Sequence, residues 1–357
     1  MPIVQALTGY AGLTLLATTS VFAGSHGSLP KPKLPPAGED AEQEEEEEVM
    51  PHITSEDAWL FPVLGSVTLG GLYLIIKYLG PDWINWLMSW YLSLASLYSV
   101  TDALLRVARN LIGPKRYRSF TQYHLKFQRG KNPLFAYSWR TPSFFLIPLG
   151  TLPTILYRLE SGKKSALLTD ILALSFAHEA ISMMKLDSFK TGCILLSGLF
   201  LYDIWWVFGT KVMVSVATSL DVPIKLLWPK SFGDLSKGHM MLGLGDIVVP
   251  GVFVALALRY DHQRSLVHGG DGRSFPKPYF TAAVLAYVSG LATTMTVMHV
   301  FKAAQPALLY LSPACILSFV ITAAARGEFK EAWSWSDETP EDKNKSEVKD
   351  QDPKKEQ

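Results

Sequence analysis

Gly192-Cys193-Ile194-Leu195-Leu196-Ser197-Gly198-Leu199-Phe200-Leu201-Tyr202-Asp203-Ile204-Trp205-Trp206-Val207-Phe208-Gly209 is an apolar run long enough to enter a bilayer, and it carries one carboxylate, Asp203. A second carboxylate, Asp246, stands in Gly243-Leu244-Gly245-Asp246-Ile247-Val248-Val249-Pro250-Gly251, at the head of another apolar run. A carboxylate at membrane depth costs at least a few kcal/mol, so an intramembrane Asp marks a functional candidate by default. Two such groups on neighbouring segments can face each other across a helix pair. Two close carboxylates do not easily ionise together and tend to share one proton. One can then take a proton from water while the other gives one to a scissile carbonyl. The bland alternative is a pair of helix-capping or salt-bridged aspartates. Its weakness is the lack of cations: in the flanking runs only Lys211 is basic, about two turns from Asp203 and off its face.

Outward from these two runs, the charge distribution sets the class. Of 357 residues, 48% are hydrophobic and 18% charged, and the charges gather in a few stretches. The long uncharged runs between them are what membrane-crossing helices require. A formal net charge of +1 offers nothing to a nucleic acid. The two cysteines, Cys193 and Cys315, lie far apart in apolar segments and make no disulfide framework. His178-Glu179 is followed by no His at zinc-helix spacing, so no metal site and no cofactor are expected.

The pattern predicts an all-α polytopic membrane protein with about nine spans. The first covers residues 3–23 and is expected to be retained, because no basic residue precedes it as in a cleaved leader. The others are expected at 58–79, 83–106, 143–157, 165–184, 191–219, 243–258, 280–301 and 306–325. Five units follow: a first transmembrane helix (1–24), a disordered linker rich in Pro and Glu (25–57), an N-terminal membrane bundle (58–190), a catalytic membrane core (191–326) and a disordered tail (327–357). The 112–142 connection holds seven basic residues from Lys115 to Arg140 and no acid, and Arg259, Arg264, Arg273 and Lys277 follow the seventh span. Both read as cytosolic. Alternate crossings then put the N-terminus and the 220–242 loop in the lumen and the tail in the cytosol. Arg158, Lys163 and Lys164, on the lumenal side, depart from that pattern. His178 and Glu179, adjacent and so about 100° apart on a helix, read as a satisfied polar contact within the bundle or as an interfacial position. The 220–242 loop reads as a surface near the site to which an extended segment could pair.

Tyr202-Asp203 and Gly243-Leu244-Gly245-Asp246 resemble the YD and GxGD motifs of the presenilin and signal peptide peptidase family. Gln305-Pro306-Ala307-Leu308 resembles the PAL motif of the same family. Order, placement and a separation of about 40 residues between the aspartates agree, and the flanking stretches are similar to the signal peptide peptidase branch. The resemblance covers roughly residues 58–330. It implies an intramembrane aspartyl protease with Asp203 and Asp246 catalytic, and Tyr202, Gly243, Leu244, Gly245, Gln305, Pro306, Ala307 and Leu308 beside them. It further implies substrates that are membrane-spanning helices, among them remnant signal peptides and type II helices. A homo-oligomer, and degradation machinery of the endoplasmic reticulum as a neighbour, are implied too. Lys354 and Lys355, fourth and third from the end, resemble a dilysine retrieval signal for that membrane, and Asn344-Lys345-Ser346 is a sequon expected to stay unmodified in a cytosolic tail. Two rivals remain at this level. One is a proton-coupled transporter, for which an internal inverted repeat is missing. The other is a scaffold or chaperone of the same fold that binds transmembrane segments without cutting them.

Overall fold

The computed structural model describes residues 2–30, 52–113, 116–117, 119–129, 132–160, 165–220, 223–230, 238–270, 274–301 and 305–337. The acidic run from Glu42 to Glu48, Asn344, Lys354 and Lys355 lie outside the described residues. The chain is a helical membrane bundle. Its helices are α1 (Pro2–Gly27), α2 (Ser55–Leu79), α3 (Pro81–Ile112), α4 (Ser143–Leu159), α5 (Ala166–Met183), α6 (Phe189–Phe208), the short α7 (Val212–Ser219), α8 (Gly245–Val267), α9 (Pro278–Phe301), α10 (Leu308–Arg326) and the short α11 (Phe329–Ser334). Each of the nine expected spans overlaps a helix; among the described residues five of these, α2, α5, α6, α9 and α10, are long and apolar enough to cross a membrane by length and composition alone, and α4 is a shorter apolar helix.

Several boundaries differ from expectation. The 191–219 span is two helices: α6 stops at Phe208, Gly209 and Thr210 intervene, and α7 begins at Val212. The 243–258 span starts at Gly245 and runs to Val267, so Gly243 belongs to a strand. Residues 52–57, placed in the expected disordered linker, are ordered. Thr54 and Asp57 form a reciprocal capping box that starts α2, and Ile53 pairs in parallel with Leu186. Part of the expected disordered tail is ordered too, since α11 and the residues to Asp337 fold back onto the bundle. Two antiparallel hairpins were not foreseen: β1 (Gln122–Arg129) with β2 (Asn132–Arg140), and β3 (Lys225–Pro229) with β4 (His239–Gly243).

Packing follows from side-chain size. From Pro250 to Asp261 every residue of α8 is buried. A helix apolar nearly all round belongs at the centre of a bundle, and α1, α5, α9 and α10 all pack against α8. From α1, Leu13, Ala17 and Val21 are buried there. α6 lies between α2 and α10. At Gly198 a Cβ would stand 2.8 Å from Pro62 of α2, so glycine is what lets the two helices approach at that level. Glu179 meets Arg106 at 3.3 Å, and Arg106 also meets Asp102 one turn back on α3. This polar contact ties α3 to α5, as the reading of His178-Glu179 anticipated for Glu179.

The end of the bundle nearest the C-terminus is closed by a latch. Arg259, 3% exposed on α8, donates to Asp337 at 2.6 Å and to the Leu186 carbonyl at 3.2 Å. Asp337 donates its own N–H to the Asp187 carbonyl at 2.7 Å, and the His52 ring lies 3.7 Å from its carboxylate. Aromatic rings fill the space beneath: Phe189 stacks on Phe319 at 4.2 Å, and Trp335 meets Tyr260 edge-on at 5.1 Å.

Candidate active site

Asp203 sits near the end of α6 and is 4% exposed. Its Oδ2 accepts a hydrogen bond from the Leu308 N–H at 3.1 Å. The first amides of a helix have no partner within it; the Pro306 carbonyl accepts from Leu309 at 3.2 Å and the Ala307 carbonyl from Tyr310 at 3.1 Å, while Ala307 makes no side-chain cap for the Leu308 amide. A carboxylate from α6 therefore caps α10 from outside. This one bond places the Pro306-Ala307-Leu308 turn against Asp203. Ala307 and Leu308 are themselves buried, each 7% exposed.

Asp246 occupies the first turn of α8, where free amides favour a negative charge. The Leu244 carbonyl accepts from Val248 at 2.8 Å, while the Leu244 N–H donates to Ile224 at 3.0 Å and closes the β3–β4 hairpin onto the helix start. The strand thus runs straight into the helix that carries the carboxylate. A Cβ on Gly243 would stand 3.4 Å from Asp246 Oδ2, so glycine leaves that carboxylate uncrowded on the strand side. No comparable neighbour surrounds Gly245 among the described residues. Asp246 and Asp203 are close enough for their charges to interact.

The structure thus brings together Asp203, Asp246, Gly243, Leu244, Ala307 and Leu308. Tyr202 follows a different course: its ring turns toward α2, where a Cβ on Gly65 would meet it at 3.3 Å, and toward Trp206 at 6.3 Å. Gln305 accepts from the Tyr310 hydroxyl at 3.4 Å and so braces the start of α10. Among the described residues no cluster of three His, Cys, Asp or Glu could hold a metal ion. One group near the site escaped the sequence reading. Tyr287 of α9 is fully buried, its hydroxyl has no partner among the described residues, and it lies within electrostatic range of Asp246 and Cys315. Its only sequence signal is a helical spacing with Ala283, Gly290 and Thr294, which packing alone would explain.

Comparison with known proteins bears on the family of the chain. The family model described as signal peptide peptidase matches residues 42–339. The chain is 36% identical over 342 residues to the signal peptide peptidase of Mus musculus, covering 93% of this chain and 84% of the relative. It is 36% identical over 343 residues to that of Homo sapiens, with the same coverage. A probable intramembrane protease of Schizosaccharomyces pombe is 38% identical over 303 residues, covering 84% of this chain and 89% of the relative. With motif order, bundle and alignment in agreement over most of its length, the chain belongs to the signal peptide peptidase family and is a multi-pass intramembrane protease.

Proposed function

We propose that the protease is of the aspartic type, with Asp203 and Asp246 as its catalytic pair. The observation that carries this reading is the Asp203–Leu308 hydrogen bond, which joins the Tyr202-Asp203 and Pro306-Ala307-Leu308 motifs around one carboxylate within charge range of Asp246, the carboxylate of the third motif. The Leu308 amide fixes one oxygen of Asp203 and leaves the second free to face a water. One carboxylate takes the proton of that water as it attacks the peptide carbonyl, while the other, protonated, donates its proton to the developing oxyanion; as the C–N bond breaks, the first carboxyl passes the proton it took to the leaving nitrogen and the second recovers one from the gem-diol hydroxyl. Tyr202, Gly245 and Gln305 shape the surrounding turns rather than touch the reacting atoms. The units proposed from the sequence, a retained first helix, an N-terminal bundle to residue 190 and a catalytic core from 191 to 326, are kept. The test is incubation of detergent-purified protein with a model signal peptide, with and without a transition-state inhibitor of aspartic proteases. Inhibitor-sensitive cleavage supports the assignment; cleavage that the inhibitor leaves untouched refutes it.

Proposed substrates are remnant signal peptides and type II membrane helices of the endoplasmic reticulum. A helical substrate hides its peptide bonds, since each carbonyl is already hydrogen-bonded four residues on. Opening a turn in hydrocarbon costs about 1–3 kcal/mol for each group left unpaired. The β4 strand beside Gly243 can take up those groups as a neighbouring strand would. Gly, Ser, Asn or Pro near the middle of a substrate lowers the remaining cost. Replacing such residues with Leu is expected to slow cleavage severalfold at equal membrane insertion; equal rates would show that helix opening does not select substrates.

The proposed orientation has a lumenal N-terminus and a cytosolic tail, with Lys354 and Lys355 read by retrieval machinery and homo-oligomers in the membrane. In sealed microsomes, added protease is expected to clip the tail and Asn344 to carry no glycan. A glycosylated Asn344 would invert the orientation.

A further inference from the structure

Asp170 lies on α5, one turn after its start at Ala166, and takes no part in the chemistry above. Its Oδ1 accepts the backbone N–H of Leu227 in β3 at 2.7 Å. Among the described residues no cation pairs with it, so the amide is its principal partner. In an antiparallel pair the inward-bonded positions alternate along each strand. Leu244 donates to Ile224 and Lys230 donates to Gly238, which makes the even-numbered positions the bonded ones. Leu227 therefore points its amide away from β4, and Asp170 meets it there. On the same strand Leu226 is fully buried, with α5 and α1 packed against β3. The opposite edge of the hairpin is open. His239, Met241 and Gly243 direct their backbone groups away from β3, no described residue bonds to them, and Met241 is 60% exposed.

We propose that Asp170 is a positioning residue for substrate. It closes the outer edge of β3 and pins the hairpin to α5, so that a substrate strand can join only at β4, the strand that leads into Gly243 and Asp246. An unpaired strand edge is a ready template for any extended chain, and a hairpin free to present both edges would also accept substrate on the side remote from the carboxylates. The inference rests on the protease reading above, with an unwound substrate pairing to the hairpin.

The experiment compares wild type, Asp170→Ala, Asp170→Asn and Leu227→Pro in cleavage of a model signal peptide, alongside binding of a small inhibitor that reaches only the catalytic pair. Proline at 227 removes the same outward N–H from the other side, and an outward-facing strand position tolerates it. Asp170→Ala and Leu227→Pro are each expected to raise KM about tenfold, the scale of one lost hydrogen bond to a charged group. The kcat and the number of inhibitor sites should change by less than about twofold on the same scale. Asn retains an acceptor oxygen and is expected to restore most of the loss, and the Ala and Pro effects should not add. An unchanged KM in Asp170→Ala, or a loss of kcat and inhibitor sites together, overturns the proposal. Asp203→Asn in the same preparation separates this from failure of the protease reading: if that variant still cuts, the catalytic assignment is at fault, not Asp170.

Discussion

Asp203→Asn and Asp246→Asn are each expected to remove measurable cleavage while the protein still inserts and accumulates. Positioned acid–base groups typically contribute about 10²–10⁴-fold each, and a pair that acts as one unit loses nearly everything when either member fails. Asn keeps the size of Asp. At position 203 its carbonyl oxygen can still accept the Leu308 N–H, so the cap on α10 survives and the fold with it. At position 246 the side chain stays in the first turn of α8 next to Gly243. What disappears is the ability to exchange a proton. Initial rates on a model signal peptide, normalised to protein in the membrane, check this. Residual activity within about tenfold of wild type in either variant would sink the pair, because even the low end of acid–base contributions is larger.

The second large effect concerns stability. Arg259 is almost fully buried, and its charge is met by Asp337 from the far end of the chain. Removing one partner of a buried pair leaves the other uncompensated, typically at about 3–5 kcal/mol. Asp337→Ala is therefore expected to lower the Tm in detergent by on the order of 10 °C. Arg259→Met combined with Asp337→Leu, which removes both charges, should recover most of that loss. A shift of less than about 2 °C for Asp337→Ala would mean that water or the Leu186 carbonyl already satisfies the guanidinium. The distance from Arg259 to Asp246 along α8, thirteen residues or about 20 Å, predicts that KM of the surviving folded fraction stays unchanged.

The proposed pair stood out because a carboxylate in an apolar run has few innocent explanations, and the long helices were legible because hydrocarbon tolerates little else. The break at Gly209 was not legible: Val212–Ser219 is still apolar enough to continue α6, and hydropathy does not show where a helix stops. The hairpins escaped for a related reason. Leu226 and Met241 gain their strand pairing from register and from α5, which are long-range facts. Tyr287 reads as one more aromatic in a span until its neighbours across the bundle are known. The tail misled most plainly. A charged segment with few apolar residues looks unable to fold by itself, and α11 with Trp335 and Asp337 is ordered by Tyr260, Gln263 and Arg259, roughly 70–80 residues earlier.

That separation gives the latch a timetable. Arg259 is synthesised roughly 80 residues before the carboxylate that neutralises it, and at about 5–20 residues per second the delay is roughly 4–16 s before any passage through the ribosome. During that interval α8, with Asp246 in its first turn, carries Arg259 without the carboxylate that meets its charge. A chain halted anywhere short of Asp337 never loses it. The bundle therefore holds an internal mark of completion: every helix can be inserted, yet the difference between a finished and an unfinished copy is one guanidinium left without its partner.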